Sequence, residues 1–177
     1  MAVVFSTMAM CFFASCGEDA GSDISASDSL HPTMTALNVV TLVSDSGVTR
    51  FRATTAEWYV FNSVKQPYWT FPAGLHLERF NTNMEVESNV YADSAFYDVN
   101  KKLWRLDGNV KVMNLKGERF ETDQLFWDQS AGKVYSDHKI DIHQKECIIT
   151  GHGFVSNEQM TNYVINHPEG IIPVNDK

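Results

Sequence analysis

From Leu37 onward the apolar positions of this chain alternate with polar ones, and helical spacing is weak all the way to the C-terminus. The stretch "LNVVTLVSDSGVTRFRATTAEWYVF" sets the pattern: two runs rich in β-branched and aromatic residues flank the turn signal Ser44-Asp45-Ser46-Gly47. Strand-like runs of about 5–9 residues continue beyond it. Turn clusters punctuate them at Asp45-Ser46-Gly47, Asn62-Ser63, Pro72-Ala73-Gly74, Asn81-Thr82-Asn83, 98–102, Asp107-Gly108-Asn109, Leu115-Lys116-Gly117, 129–132 and Asp137-His138-Lys139. The pattern predicts an all-β fold of stacked antiparallel strands. Only at 34–43 does a short helix compete with a first strand.

The pattern is also written more than once. "ADSAFYDVNKKLWRLDGNVKV" (92–112) aligns without a gap on "TDQLFWDQSAGKVYSDHKIDI" (122–142), so that Asp93 falls on Asp123, Phe96 on Phe126, Asp107 on Asp137 and Val112 on Ile142. An earlier, looser copy pairs "RATTAEWYV" with "YADSAFYDV" and "WTFPAGLHL" with "WRLDGNVKV". A fading one, "ITGHGFVSN", follows the last full copy. Repeated units of this size cannot each bury an apolar face alone; stacking makes one continuous interior. Trp104, Leu106, Val110 and Val112 share parity and point to one face, as do their counterparts Val134, Ile140, Ile142, Trp69, Phe71, Leu75 and Leu77. Arg105, Lys111, Tyr135, Asp141 and His76 face the other way. The parity slips once per unit, at Asp93 and Asp123, which predicts a bulge or corner that bends the chain while apolar side chains stay inward. The recurring aspartates (93, 98, 107, 123, 128, 137) therefore mark turns and corners.

Composition narrows the picture. The 177-residue chain is long enough for one domain with a real core, its aromatic content of 12% argues for a folded protein, and its net charge of −8 argues against a nucleic-acid surface. "MAVVFSTMAMCFFASC" carries no charge, and its apolar part is shorter than the roughly 20 residues that span a bilayer. It has the length of a secretory signal. Its "FASC" resembles the lipobox of bacterial lipoproteins, with Cys16 as the lipid anchor. The acidic, Ser-rich run that follows predicts a flexible tether. The expected organisation is a signal with lipobox (1–15), a lipidated tether (16–35), a β domain (36–166) and a tail (167–177). With Cys11 in the signal and Cys16 at the anchor, only Cys147 remains in the mature body, where a buried, inert thiol on a strand is expected.

"SGVTRFRATTAEWY", "FPAGLHLERFN", "YADSAFYD", "WRLDGNVKV", "GERFETDQLFWD" and "ITGHGF", in that order, are similar to the LptC family of lipopolysaccharide-export proteins, within the wider OstA-like group that includes the bridge protein LptA. The resemblance covers about residues 39–157. It implies an OstA-like β-jellyroll (β-taco), open at both ends, in the periplasm at the inner membrane of a Gram-negative bacterium. It implies a carrier that accepts lipopolysaccharide from an ABC transporter and passes it to LptA. The chain departs from the family in one respect, a lipobox where a single transmembrane helix is usual, which leaves open which membrane holds the anchor.

An apolar groove suits such a carrier. Each acyl methylene gains about 0.8 kcal/mol from shelter, and non-directional contacts do not freeze the lipid in place. The candidate lining is Leu75, Leu77, Val90, Trp104, Leu106, Val110, Val112, Phe120, Leu125, Trp127, Val134, Ile140 and Ile142, with deep positions at either end expected to fill core and middle ones to line the groove. Open sheet edges invite strand addition. By the resemblance, LptF/LptG-type jellyroll domains of the LptB-driven transporter meet the N-terminal edge near 37–43. An LptA-like protein meets the C-terminal edge, near 147–154 or 163–165. No catalytic motif or cofactor signature is present; His138, His143 and His152 are spread through the last strands, and His138 and His143 lack metal-ligand spacing with Cys147. Two other readings remain: an envelope lipoprotein binding glycans through outward aromatics such as Tyr135, and a structural β-stack.

Overall fold

The computed structural model describes residues 31–45 and 47–170. The expected signal, Cys11, Cys16 and most of the expected tether and tail lie outside the described residues. The described part contains eleven strands and no helix: β1 (Met34–Asp45), β2 (Val48–Phe61), β3 (Tyr68–Phe71), β4 (Leu75–Phe80), β5 (Val86–Ala92), β6 (Ser94–Asp98), β7 (Leu103–Met113), β8 (Arg119–Asp128), β9 (Lys133–His143), β10 (Ile148–Asn157) and β11 (Tyr163–Pro168). All belong to one antiparallel sheet, as the alternation predicts. The ambiguous segment at 34–43 is strand: its run of Val39, Val40, Thr41 and Val43 pairs with β2 along its length.

The chain runs as a meander in which β3/β4 and β5/β6 are each two halves of one broken run. β2 pairs β3 through Tyr59–Phe61 and β4 through Phe51–Thr54, and β7 divides itself between β6 and β5 in the same way. The breaks fall next to one another across the sheet. Gly74 separates β3 from β4, and Asp93 separates β5 from β6. β7 holds an extra residue at Gly108-Asn109 against β8, because Asp107 pairs Gln124 and Val110 pairs Thr122. β9 holds one between Ser136 and Lys139 against β10, next to Gly153. The sheet thus folds over on itself along a single line.

Two turn clusters of the sequence are corrected by this geometry. Asp107-Gly108-Asn109 and Asp137-His138-Lys139 do not join short strands; they are bulges inside the 11-residue strands β7 and β9. Gly108 (φ 77°) and Asn109 (φ 44°) are left-handed, a backbone that a hairpin turn and a bulge request with the same residues. The predicted slips at Asp93 and Asp123 do coincide with corners, the second within the register shift between Thr122 and Phe126.

Exposed and part-buried polar groups secure the fold line. Asp93 N–H donates to the Gly108 carbonyl (3.0 Å) and Asn109 Nδ2 donates to Asp93 Oδ2 (2.6 Å). Gln124 Nε2 donates to Asp107 Oδ1 (2.7 Å), Ser136 Oγ to the Gln124 carbonyl (2.7 Å) and Thr55 Oγ1 to the Gly74 carbonyl (2.7 Å). Each bond satisfies a main-chain or side-chain group that a corner withdraws from the regular ladder. The two leaves so formed share one core. Leu75, Val110, Val112, Phe120, Ile140 and Ile142 come from one side of the fold line, and Phe71, Leu106, Leu125, Val134 and Phe154 from the other.

Candidate functional site

Between the leaves lies a trough enclosing about 840 Å³ of empty space, part of it open to solvent. Leu77, Val90 and Val112 line it from one leaf; Trp104, Leu106, Leu125, Trp127 and Val134 line it from the other. These eight belong to the thirteen candidates drawn from the sequence. The remaining five, Leu75, Val110, Phe120, Ile140 and Ile142, are packed into the core instead, with Ile140 and Ile142 at 0% exposure. The division follows from position: Val110 and Ile140 sit beside the fold line where the leaves converge, and Phe120 and Ile142 sit under the last strands. The rim is mixed, with Phe51, Arg79, Ser88, Met113 and Glu158.

The trough's two ends differ. Towards β3 and β6 an aromatic cluster packs edge and face: Trp58–Trp69 at 5.4 Å between ring centroids, Trp69–Tyr97 at 5.0 Å, Tyr97–Trp104 at 4.6 Å and Trp104–Phe71 at 5.6 Å. The indole N–H groups of Trp58, Trp69 and Trp104 are buried without a hydrogen-bond partner among the described residues. Towards β10 and β11, Phe120, Phe154 and Tyr163 pack at 5.3–5.8 Å between ring centroids. Burial raises the phenols of Tyr97 and Tyr163 above the ordinary tyrosine value, so both stay uncharged across the physiological range. Both ends are thus built from aromatic rings, and at the β11 end the Glu118 carboxylate lies 3.5 Å from the Tyr163 hydroxyl.

One buried carboxylate, Glu78, stands at the trough wall and is paired. Arg52 forks onto Glu78 through Nε–Oε2 and Nη2–Oε1 contacts, the second at 2.7 Å, and this hydrogen bonding holds the Glu78 carboxyl below its ordinary value. His76 stacks on Tyr91 at 3.9 Å, and burial lowers its pKa. Tyr135, the outward aromatic singled out for glycan contact, is half-buried and stacked on Phe126 at 5.2 Å. His138 and His152 are exposed and His143 lies 3.4 Å from Glu121. Among the described residues no three His, Cys, Asp or Glu side chains gather as metal ligands. Cys147 is not on a strand: it sits half-buried in the β9–β10 turn, its Sγ 3.2 Å from Gln144 Oε1.

Nine lining residues were not among the candidates, and three of them are buried: Glu78, Asn114 and Met160. Met160 lines the trough and is 3% exposed, although it belongs to the β10–β11 loop outside the repeat. Asn114, 2% exposed, also lines it, from the turn after β7. Their sequence signals are a lone apolar residue in the polar run "SNEQMTNY" and an asparagine that opens a turn, as Asn81 and Asn157 also do.

β1 and β11 are the sheet's edges, each paired on one side only. Both segments offered as a C-terminal edge are strands, β10 and β11, and the outer one is β11, which ends at Pro168. Among the described residues no helix is long and apolar enough to cross a membrane. Against known proteins, the family model described as "Lipopolysaccharide-assembly, LptC-related" matches residues 1–165. No curated protein sequence matches the chain.

Proposed function

The chain belongs to the LptC-related family of lipopolysaccharide-assembly proteins, a transport family of the periplasm and inner membrane, and from that premise we propose that its trough carries the acyl chains of lipopolysaccharide. The observation that carries the reading is the predominantly apolar lining: Leu77, Val90, Val112, Leu106, Leu125 and Val134 face one another across the space between two leaves, and the charged residues among the lining are Glu78, Arg79 and Glu158. Such a surface shelters hydrocarbon without fixing it, since dispersion and hydrophobic contacts have no preferred direction.

In the finer version of this reading, β1 receives a strand from LptF/LptG-type jellyroll domains of the transporter, and β11 offers its free edge to an LptA-like acceptor. Cys16 bears the lipid that holds the domain at a membrane. The exposure of Leu37 (62%) and Val40 (64%) on β1 supports an edge that is covered by a partner.

The test uses photo-crosslinking side chains placed singly along β7 in cells. Positions Trp104 and Val112 are expected to capture lipopolysaccharide, and capture is expected to depend on ATP. Capture confined to outward Arg105 would overturn the proposal.

A further inference from the structure

The loop between β10 and β11 behaves unlike a surface connection. Loops keep their side chains in water, yet Met160 is 3% exposed and forms part of the trough wall. Its backbone is left-handed (φ 52°), as at the equivalent turn positions Met84 (62°) and Gly117 (76°), but Met84 is 53% exposed where Met160 is buried. Asn157 holds it from one side, its Oδ1 accepting from the N–H groups of Thr161 (2.9 Å) and Asn162 (3.1 Å). The opposite leaf holds it from the other: Asn114 Nδ2 donates to the Met160 carbonyl (2.8 Å) and Lys116 Nζ donates to the Thr161 carbonyl (2.8 Å). The loop therefore ties the far end of β10 to the far end of β7, across the mouth.

Behind Met160, Phe120, Phe154 and Tyr163 pack ring against ring, and none of the three lines the trough. Met160 therefore stands where the trough ends on the β11 side. Most hydrogen bonds of the loop stay within its own leaf; the two that cross the mouth come from Asn114 and Lys116, and the Lys116 bond is solvent-exposed. The Asn114 amide also reaches β11: its Nδ2 donates to Glu118 Oε2 (2.7 Å), Glu118 Oε1 accepts from Gln144 Nε2 (2.8 Å), and Gln144 Nε2 lies 2.8 Å from the Tyr163 hydroxyl.

We propose that the β10–β11 loop is a releasable strap, with Met160 as the stop that ends the trough and Asn114 as its latch, and that an acyl chain advancing towards β11 displaces it. This rests on the lipid-carrier reading above. Displacement frees the Met160 carbonyl from Asn114 and loosens the network that orders Tyr163, the first residue of β11. Arrival of lipid and availability of the C-terminal edge then become one event.

The experiment loads the full-length protein with purified lipopolysaccharide. It follows hydrogen exchange at the Thr161 and Asn162 amides and release of fluorescent lipopolysaccharide into excess lipid vesicles. Loading is expected to speed exchange at those two amides about tenfold, the signature of local opening. Met160→Ala and Asn114→Ala are expected to release lipid several-fold faster, and Met160→Leu to behave as wild type. Lys116→Ala, which removes only an exposed strap bond and leaves the core intact, is expected to speed release about twofold, so the outcome does not depend on whether the buried variants fold. Unchanged or slowed exchange on loading, together with unaltered release from Lys116→Ala, overturns the strap while leaving the carrier reading in place. Failure of the wild-type protein to load at all overturns both.

Discussion

At Gly108 two independent demands meet. Its φ of 77° excludes most side chains, and a Cβ there would lie 2.8 Å from Asp93 Oδ2. Gly117 has nearly the same φ (76°), but nothing lies within 4 Å of its Cβ position. The pair separates backbone strain from collision. Gly117→Ala is expected to cost about 1 kcal/mol, the left-handed penalty alone. Gly108→Ala is expected to cost about 2–4 kcal/mol, because the clash also breaks the Asp93 cap. Urea denaturation of both variants measures the difference, and equal losses would show that the Asp93 contact contributes nothing. The importance of Asp93 was legible in the sequence, as a parity slip beside an aspartate that recurs at Asp123. Met160 was not legible, because a single apolar residue in a loop has no periodicity to betray its burial.

Among the elements, strand type and inward faces were written plainly, since alternation over β7, β9 and their copies leaves only one face apolar. Corners were harder to distinguish from turns. Asp-Gly-Asn requests positive φ whether the chain then reverses or continues, and only the pairing partner decides. In β7 the residues after Gly108-Asn109 carry on against β8, so the cluster bends the strand and does not end it. The division between lining and core was likewise invisible to parity, which places Val110 and Val112 on the same face without saying how far apart the leaves are. β1 offers a test at this scale. Its outer side has no strand neighbour, so Val40→Lys is expected to change stability by less than about 0.5 kcal/mol. A lysine on a free edge discourages strand addition. Cross-linking of β1 to the transporter's jellyroll domain is therefore expected to fall sharply in a protein that melts normally. Unimpaired cross-linking would place the contact elsewhere.

For the whole molecule, the polar exterior makes stability depend on pH from both directions. Glu78, Asp98 and Asp141 all have carboxyls lowered in the folded state, chiefly by hydrogen bonds from the Arg52 side chain, the Lys101 amide and the Thr150 hydroxyl respectively. A folded pKa below the unfolded one means that the unfolded chain binds protons first. The stability these groups contribute is fully present above about pH 4.5 and is lost as pH falls through the folded values. His76 acts earlier in the same direction. Burial lowers its pKa, so the folded state prefers the neutral ring, and stability begins to fall as pH drops below about 6.5. Tyr97 and Tyr163 act at the other extreme, where raised phenol values mean stability is lost as pH climbs past about 10. The melting temperature is therefore expected to hold a plateau from about pH 7 to 9, decline gently towards pH 5 and fall steeply below pH 4.5. His76→Phe keeps a ring against Tyr91 and removes the buried base, so it is expected to abolish the gentle decline and leave the steep one. Differential scanning calorimetry across the range checks both steps, and a decline between pH 7 and 5 that survives His76→Phe would show that another group drives it.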